Sequence, residues 1–227
     1  GKVEEERRNS LTLLEQKIGY VFKDLYLMDM ALTHTSYVKG DGKANAHNER
    51  LEFLGDAVLE LCVSDYLYKR FGEFDEGAMT RLRAQTVCEG ALYEVAKELG
   101  VGETLLLGRG EDHSGGREKP SILSDALEAV IGALYIDGGM EIARRFIMSF
   151  IGGSVDAALR GGALKDYKTM LQEYVQKRHM GAIAYRLAGS AGPDHSKIFT
   201  MEVTIAGIPS GTGCGRTKQD AGQKAAK

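Results

Sequence analysis

A chain of 227 residues, 43% hydrophobic and 27% charged, has the ordinary composition of a globular protein with room for one large domain or two modest ones. No run approaches the ~20 apolar residues of a membrane-spanning helix, and the charged opening GKVEEERRNS is unlike a secretory leader. Cys62, Cys88 and Cys214 are scattered, without CxxC or paired Cys/His spacing, which argues against both a disulfide framework and a zinc site and favours reduced cytoplasmic thiols.

The net charge of −3 conceals an asymmetry. From Leu164 onward there are ten Lys and Arg against five Asp and Glu, a surplus of +5, so residues 1–163 carry −8. An acidic body joined to a basic tail predicts different partners for the two parts. A basic module is a common phosphate-backbone binder, although a surplus of this size also suits a solvated face.

In chain order, LTLLEQKIGY, the stretch from Glu49 to Phe71, the stretch from Gly77 to Leu99, and ILSDALEAVIGALYI all place apolar residues at helical spacing. Between the last two lies GRGEDHSGGREKPS, a polar glycine-rich loop without the GxxxxGK spacing of a nucleotide-binding loop; a surface loop beside a site is expected there, and no small-molecule cofactor. The fold predicted from this pattern has several domains. Residues 1–153 form an all-α unit and residues 154–165 a flexible, glycine-rich linker. Residues 166–227 form a small α+β unit of order α-β-β-β-α. In that unit DYKTMLQEYVQKR reads as the first helix. IFTMEVTIAG alternates as a half-buried strand, with Phe199, Met201, Val203 and Ile205 on one face. Thr217 and Asp220 have capping-box spacing at the last helix, which Gly222 interrupts at about 1 kcal/mol relative to Ala and which is expected to be cut short at Lys227.

The chemistry lies in the acids. In NERLEFLGD, Glu49, Glu52 and Asp56 fall within about 60° of one another on a helical wheel, while Leu51, Leu54, Val58 and Leu61 face the other way. A plain amphipathic helix with its acids in water explains that pattern equally well. The second cluster shifts the balance. Asp125 and Glu128 share a face, and Glu128 is the only charged residue from Ala126 to Ile136. A helix apolar nearly all round is buried, and an ionised carboxylate inside it costs several kcal/mol unless a distant cation or a metal ion pairs with it. An all-carboxylate set suits a hard divalent cation such as magnesium, which keeps waters and takes further oxygens from phosphate. That arrangement fits metal-assisted phosphodiester hydrolysis. Glycoside hydrolysis by paired carboxylates is the alternative, disfavoured by the absence of tryptophan and by the basic tail.

NERLEFLGDAVL, the triplet Asp75-Glu76-Gly77 and SILSDALEAVIGAL together resemble bacterial ribonuclease III, and the tail resembles its double-stranded-RNA-binding domain. The resemblance runs over essentially the whole chain in the family's order. It implies a homodimeric helical endonuclease acting on double-stranded RNA. Glu52, Asp56, Asp125 and Glu128 match the family's essential acids, and Glu49 and Glu76 match accessory acids near the cut. Glu52, Asp125 and Glu128 would ligate Mg²⁺, with Mn²⁺ as a substitute, while Asp56 would order the water shell and, with Glu128, form the family's usual active-site assignment. Phe53 matches a phenylalanine that packs into the partner subunit. The implied products carry 5′-phosphate and 3′-hydroxyl ends with short 3′ overhangs, and the implied setting is processing of ribosomal RNA precursors and messenger RNA in the cytoplasm.

In the tail, the resemblance assigns Gln172 and Glu173 to one RNA minor groove, Pro193, Asp194 and His195 to a second, and Lys218 to the phosphates between them. Two departures stand out: many members carry consecutive lysines where this chain has Lys218-Gln219, and Gly222 weakens the last helix. HTSY, His34 to Tyr37, also matches a family motif, and no chemistry is assigned to it. A catalytically silent RNA-binding relative is the competing class. Its expected mark is loss of a metal ligand, whereas all four main acids are present.

Overall fold

Helical periodicity in the first part of the chain resolves into nine α-helices among the described residues: α1 (Glu5–Ile18), α2 (Leu25–Ala31), α3 (Glu49–Arg70), α4 (Glu76–Thr86), α5 (Glu89–Leu99), α6 (Val101–Thr104), α7 (Arg109–His113), α8 (Pro120–Gly138) and α9 (Met140–Gly161). A computed structural model describes residues 5–38, 46–161, 167–192 and 197–227. The chain divides into two compact units, Gly1–Ala163 and Leu164–Lys227.

Helix α8 is the axis of the first unit. Pro120 opens it, where a missing N–H costs nothing. From Ile122 to Leu134 every residue except Asp125 and Glu128 is buried. Helix α3 crosses α8 at backbone contact. A Cβ on Gly55 would lie 1.7 Å from the Glu128 carbonyl oxygen, and one on Gly132 would lie 2.2 Å from that of Leu51. Glycine is therefore required on both helices, and its propensity cost is offset by close packing. Leu51, Val58 and Leu59 fill the seam. Leu61, which the wheel groups with them, is 57% exposed, because the α3 surface it occupies faces a groove toward α4 rather than the core.

Three sequence expectations need correction. The stretch from Gly77 to Leu99 is two helices, broken where Cys88 is extended and Val87 caps α4. The apolar period continues through the break, but α4 packs on α9 and α5 on α8, so the two segments diverge. The polar segment after Leu107 is not a plain loop. It contains α7 and a 3₁₀ turn, Gly116–Glu118, braced by Arg117, whose guanidinium donates to the carbonyls of Gly102 (3.0 Å) and Leu105 (2.8 Å) and pairs with Asp112. Finally, residues 154–161, read as linker, continue α9. Ile151, Val155 and Ala158 keep a buried stripe that outweighs Gly152 and Gly153.

The second unit has α10 (Tyr167–Lys177), strands β1 (Ile183–Ala191), β2 (Ile198–Ile205) and β3 (Ile208–Gly215), and α11 (Lys218–Ala226). The sheet is antiparallel in the order β1-β2-β3. Among the four alternating apolar residues of β2, only Val203 is fully buried. Gly211, Gly213 and Gly215 let α11 lie on β3, since a Cβ at each would come within 2.4 Å of Ala225 or Asp220 atoms. The Thr217 hydroxyl accepts from the Asp220 N–H at 3.0 Å, capping α11. Gly222, a weak point by propensity, forms a slot for Lys168, whose amine sits 4.5 Å over the Tyr185 ring.

Adding one methyl at the α3–α8 crossing tests this packing. Gly55→Ala should lower unfolding free energy by about 1–3 kcal/mol or more, read as a reduced urea midpoint at unchanged slope.

Candidate metal centre

The glycine-lined crossing brings the two acidic helices together at one edge. One carboxylate oxygen each of Glu52 (α3), Asp125 and Glu128 (α8) lie within 4.8 Å of one another, and all three side chains are half-buried. Like charges this close resist joint ionisation. Burial, followed by repulsion from Asp56, Asp125, Glu52 and Glu60, pushes the Glu128 carboxyl up to about 8. Glu52 is raised by burial and then by Asp125, Glu49 and Asp56. Asp125 is raised by burial and by Glu89, while a hydrogen bond from Ser124 and the nearby His34 pull it back. Every charged group that shifts Glu128 is itself an acid. Three convergent oxygen donors with no Lys or Arg ion pair among the described residues fit a hard divalent cation. Glu52, Asp125 and Glu128 would hold it.

The other expected acids stand further out. Asp56 is exposed one turn beyond Glu52, close enough to raise both Glu52 and Glu128. Glu49 is exposed at the start of α3, 3.8 Å from a ring nitrogen of His47. Glu76 is not brought to the cluster within this chain. It opens α4, accepts from the Thr80 hydroxyl, and lines a groove with Leu61, Asp65, Tyr68 and Arg83. Phe53 is 81% exposed on α3. Gln172 and Glu173 are exposed on α10, and Lys218 is exposed at the first turn of α11. Pro193, Asp194 and His195 lie outside the described residues.

Sequence reasoning missed Glu60, Glu89 and His34 as neighbours of the cluster. Glu60 lies one turn beyond Asp56, and its position was readable from the spacing. Glu89 and His34 reach the site from other elements, and only the HTSY segment hinted at one of them.

This helical unit with a half-buried carboxylate trio, followed by a small α-β-β-β-α unit, defines a metal-dependent nuclease joined to an RNA-binding module. Residues 24–154 match the family described as Ribonuclease-III-like, and residues 167–227 match the double-stranded RNA binding motif. The chain belongs to the ribonuclease III family of endoribonucleases. It is 46% identical to Ribonuclease 3 of Caldanaerobacter subterraneus subsp. tengcongensis over 95% of each chain. It is 47% identical to Ribonuclease 3 of Pelotomaculum thermopropionicum over 98% of this chain and 92% of that one. A solved nuclease domain of ribonuclease III from Campylobacter jejuni, 44% identical, superimposes with a TM-score of 0.59 over 63% of this chain and 97% of its own. Among the described residues, no helix is long and apolar enough to cross a membrane.

The raised Glu128 has a consequence for stability. Its folded value of about 8 exceeds the ordinary 4.5, so the folded state holds a proton that the unfolded chain releases. With divalent cations chelated, stability should therefore fall as pH rises from about 4.5 to about 8. Thermal melts in chelator should show a smaller fall for Glu128→Gln, and a curve unchanged by that substitution would contradict the assignment.

Proposed function

We propose that the chain hydrolyses phosphodiester bonds of double-stranded RNA, using Mg²⁺, or Mn²⁺ in its place, held by Glu52, Asp125 and Glu128. The observation that carries this reading is the convergence of those three carboxylates in a half-buried edge without a Lys or Arg ion pair among the described residues. A divalent cation bound there supplies a water of lowered pKa and charge neutralisation for the departing oxyanion. The protein's own contribution is positional. Helices α3 and α8 hold the carboxylates in fixed register, and the apolar core behind them lowers the local dielectric. Asp56, exposed beside the trio, accepts hydrogen bonds from water at the open side and keeps it oriented. Glu49 is the accessory acid on the same chain.

The products in this reading carry 5′-phosphate and 3′-hydroxyl ends with short 3′ overhangs. Both strands are cut because two copies of the chain pair. The exposed Phe53, with Leu61 and Tyr68 on the same side of α3, supplies an apolar face for that pairing. The Campylobacter protein's structure concerns a region involved in dimer formation, which supports the same arrangement here. Glu76, remote from the cluster of its own chain, then serves near the cut as an accessory acid. Gln172, Glu173 and Lys218, with Pro193, Asp194 and His195, grip the duplex through 2′-hydroxyls and phosphates rather than base edges. The setting is cytoplasmic processing of ribosomal RNA precursors and messenger RNA.

A long RNA duplex incubated with the chain and millimolar Mg²⁺ should be cut to short duplex fragments on a gel. Glu128→Gln should abolish cutting while leaving duplex affinity within about twofold. Intact duplex with the native chain would end the enzymatic reading. Affinity measured across a salt series should fall steeply, because phosphate contacts dominate binding. Sedimentation at micromolar concentration should give a dimer, and Phe53→Ala should shift it toward monomer.

A further inference from the structure

In the second unit, α10 and α11 are tied along one seam, and Lys168 crosses it. A Cβ built on Gly222 would lie 2.6 Å from the lysine Cε and 2.7 Å from its Nζ, so the end of the side chain fills the gap that the glycine leaves. The same amine sits 4.5 Å over the Tyr185 ring, within cation–π range. The Lys168 backbone N–H donates to Gln223 Oε1 at 3.2 Å, satisfying one of the first-turn donors that α10 cannot satisfy itself. Further along, the Lys227 amine lies 5.8 Å over the Tyr167 ring.

Helical register joins this contact to the residues that face RNA in the reading above. Lys168 precedes Gln172 by four residues, and Gly222 follows Lys218 by four, so each lies on the same helical side as its neighbour one turn away. The seam therefore sets the separation between the groove-reading turn of α10 and the phosphate-gripping turn of α11. A glycine inside a helix forfeits propensity, and an immobilised lysine forfeits rotamer freedom. Stability alone does not favour this pairing over an alanine packed on an apolar side chain.

We infer that Lys168 is a positioning residue for duplex RNA: seated between Gly222 and the Tyr185 ring, it fixes the spacing of Gln172 and Glu173 from Lys218 to suit the minor groove and adjoining phosphates of an A-form duplex. The inference rests on the RNA-binding reading above, and in it the lysine acts through the seam rather than on a phosphate.

The test is binding of the full chain to an RNA duplex of ~16 base pairs and to the DNA duplex of the same sequence, in chelator so that nothing is cut. Gly222→Ala pushes the lysine out of the gap while making α11 a better helix. It should weaken RNA binding about 3–10-fold, the cost of ordering a loosened seam on binding, without weakening DNA binding or lowering the melting temperature. Lys168→Met keeps an unbranched chain in the gap, with its sulfur on the ring in place of the charge. It should bind RNA within about twofold of native, at the native salt slope. Native-like RNA binding by Gly222→Ala would overturn the inference. A lower melting temperature with equal loss on RNA and DNA would also overturn it, assigning the slot to packing alone. A salt slope smaller by about one in Lys168→Met would make the lysine a phosphate contact instead. If Gln172→Ala and Lys218→Ala both bind RNA as the native chain does, the RNA-binding reading of this unit fails, and the inference with it.

Discussion

The first unit depends on two helices touching backbone to backbone. Gly55 and Gly132 bring α3 onto α8 so closely that no side chain fits between them. Rigid helices then leave little choice about where their outward positions fall. Glu52 and Asp56, flanking the Gly55 contact on one helix, and Glu128 and Asp125, one and two turns before Gly132 on the other, are brought toward a common edge. The repulsion among them is overcome by the apolar burial of α8, which is independent of the acids. Active sites commonly store such local conflict, offset by the surrounding packing.

A second tier of structure surrounds that edge. The HTSY turn, the braced glycine-rich segment and the start of α5 each bring a titratable group, His34, Glu111 and Glu89, within electrostatic reach of Asp125 or of one another. Tight backbone approach recurs here at Gly108. It recurs again in the second unit, where Gly211, Gly213 and Gly215 let α11 settle on β3. Both units use glycine to bring elements to a distance that ordinary side chains would forbid.

The acids were legible in sequence because Glu128 is charged where its helix is otherwise apolar. Helical spacing alone grouped Glu49, Glu52 and Asp56, although only Glu52 joins the half-buried trio. The crossing that unites the two helices was not legible. A glycine inside a helix reads as a propensity loss, and nothing local reveals that another backbone lies against it. The same blindness made Gly222 look like a flaw and residues 154–161 look like linker, when neighbouring side chains decide both. The break at Val87–Cys88 escaped because the apolar period runs unchanged through it, and only the diverging partners α9 and α8 separate the two helices. Long-range placement of His34 and Glu89 likewise has no sequence period to betray it.

The segment from Gly108 to Ser121 has the composition that engineers choose for splicing in an epitope or a fluorescent label, being short of apolar residues and rich in glycine. Arg117 makes it a poor choice. Arg117 reaches back to the carbonyls of Gly102 within α6 and Leu105 just after it, so added residues would pull that staple out and release the run that holds Ser36 and Gly108 together. Insertion there would be felt beyond the loop, at the turn that anchors the first residues of α3.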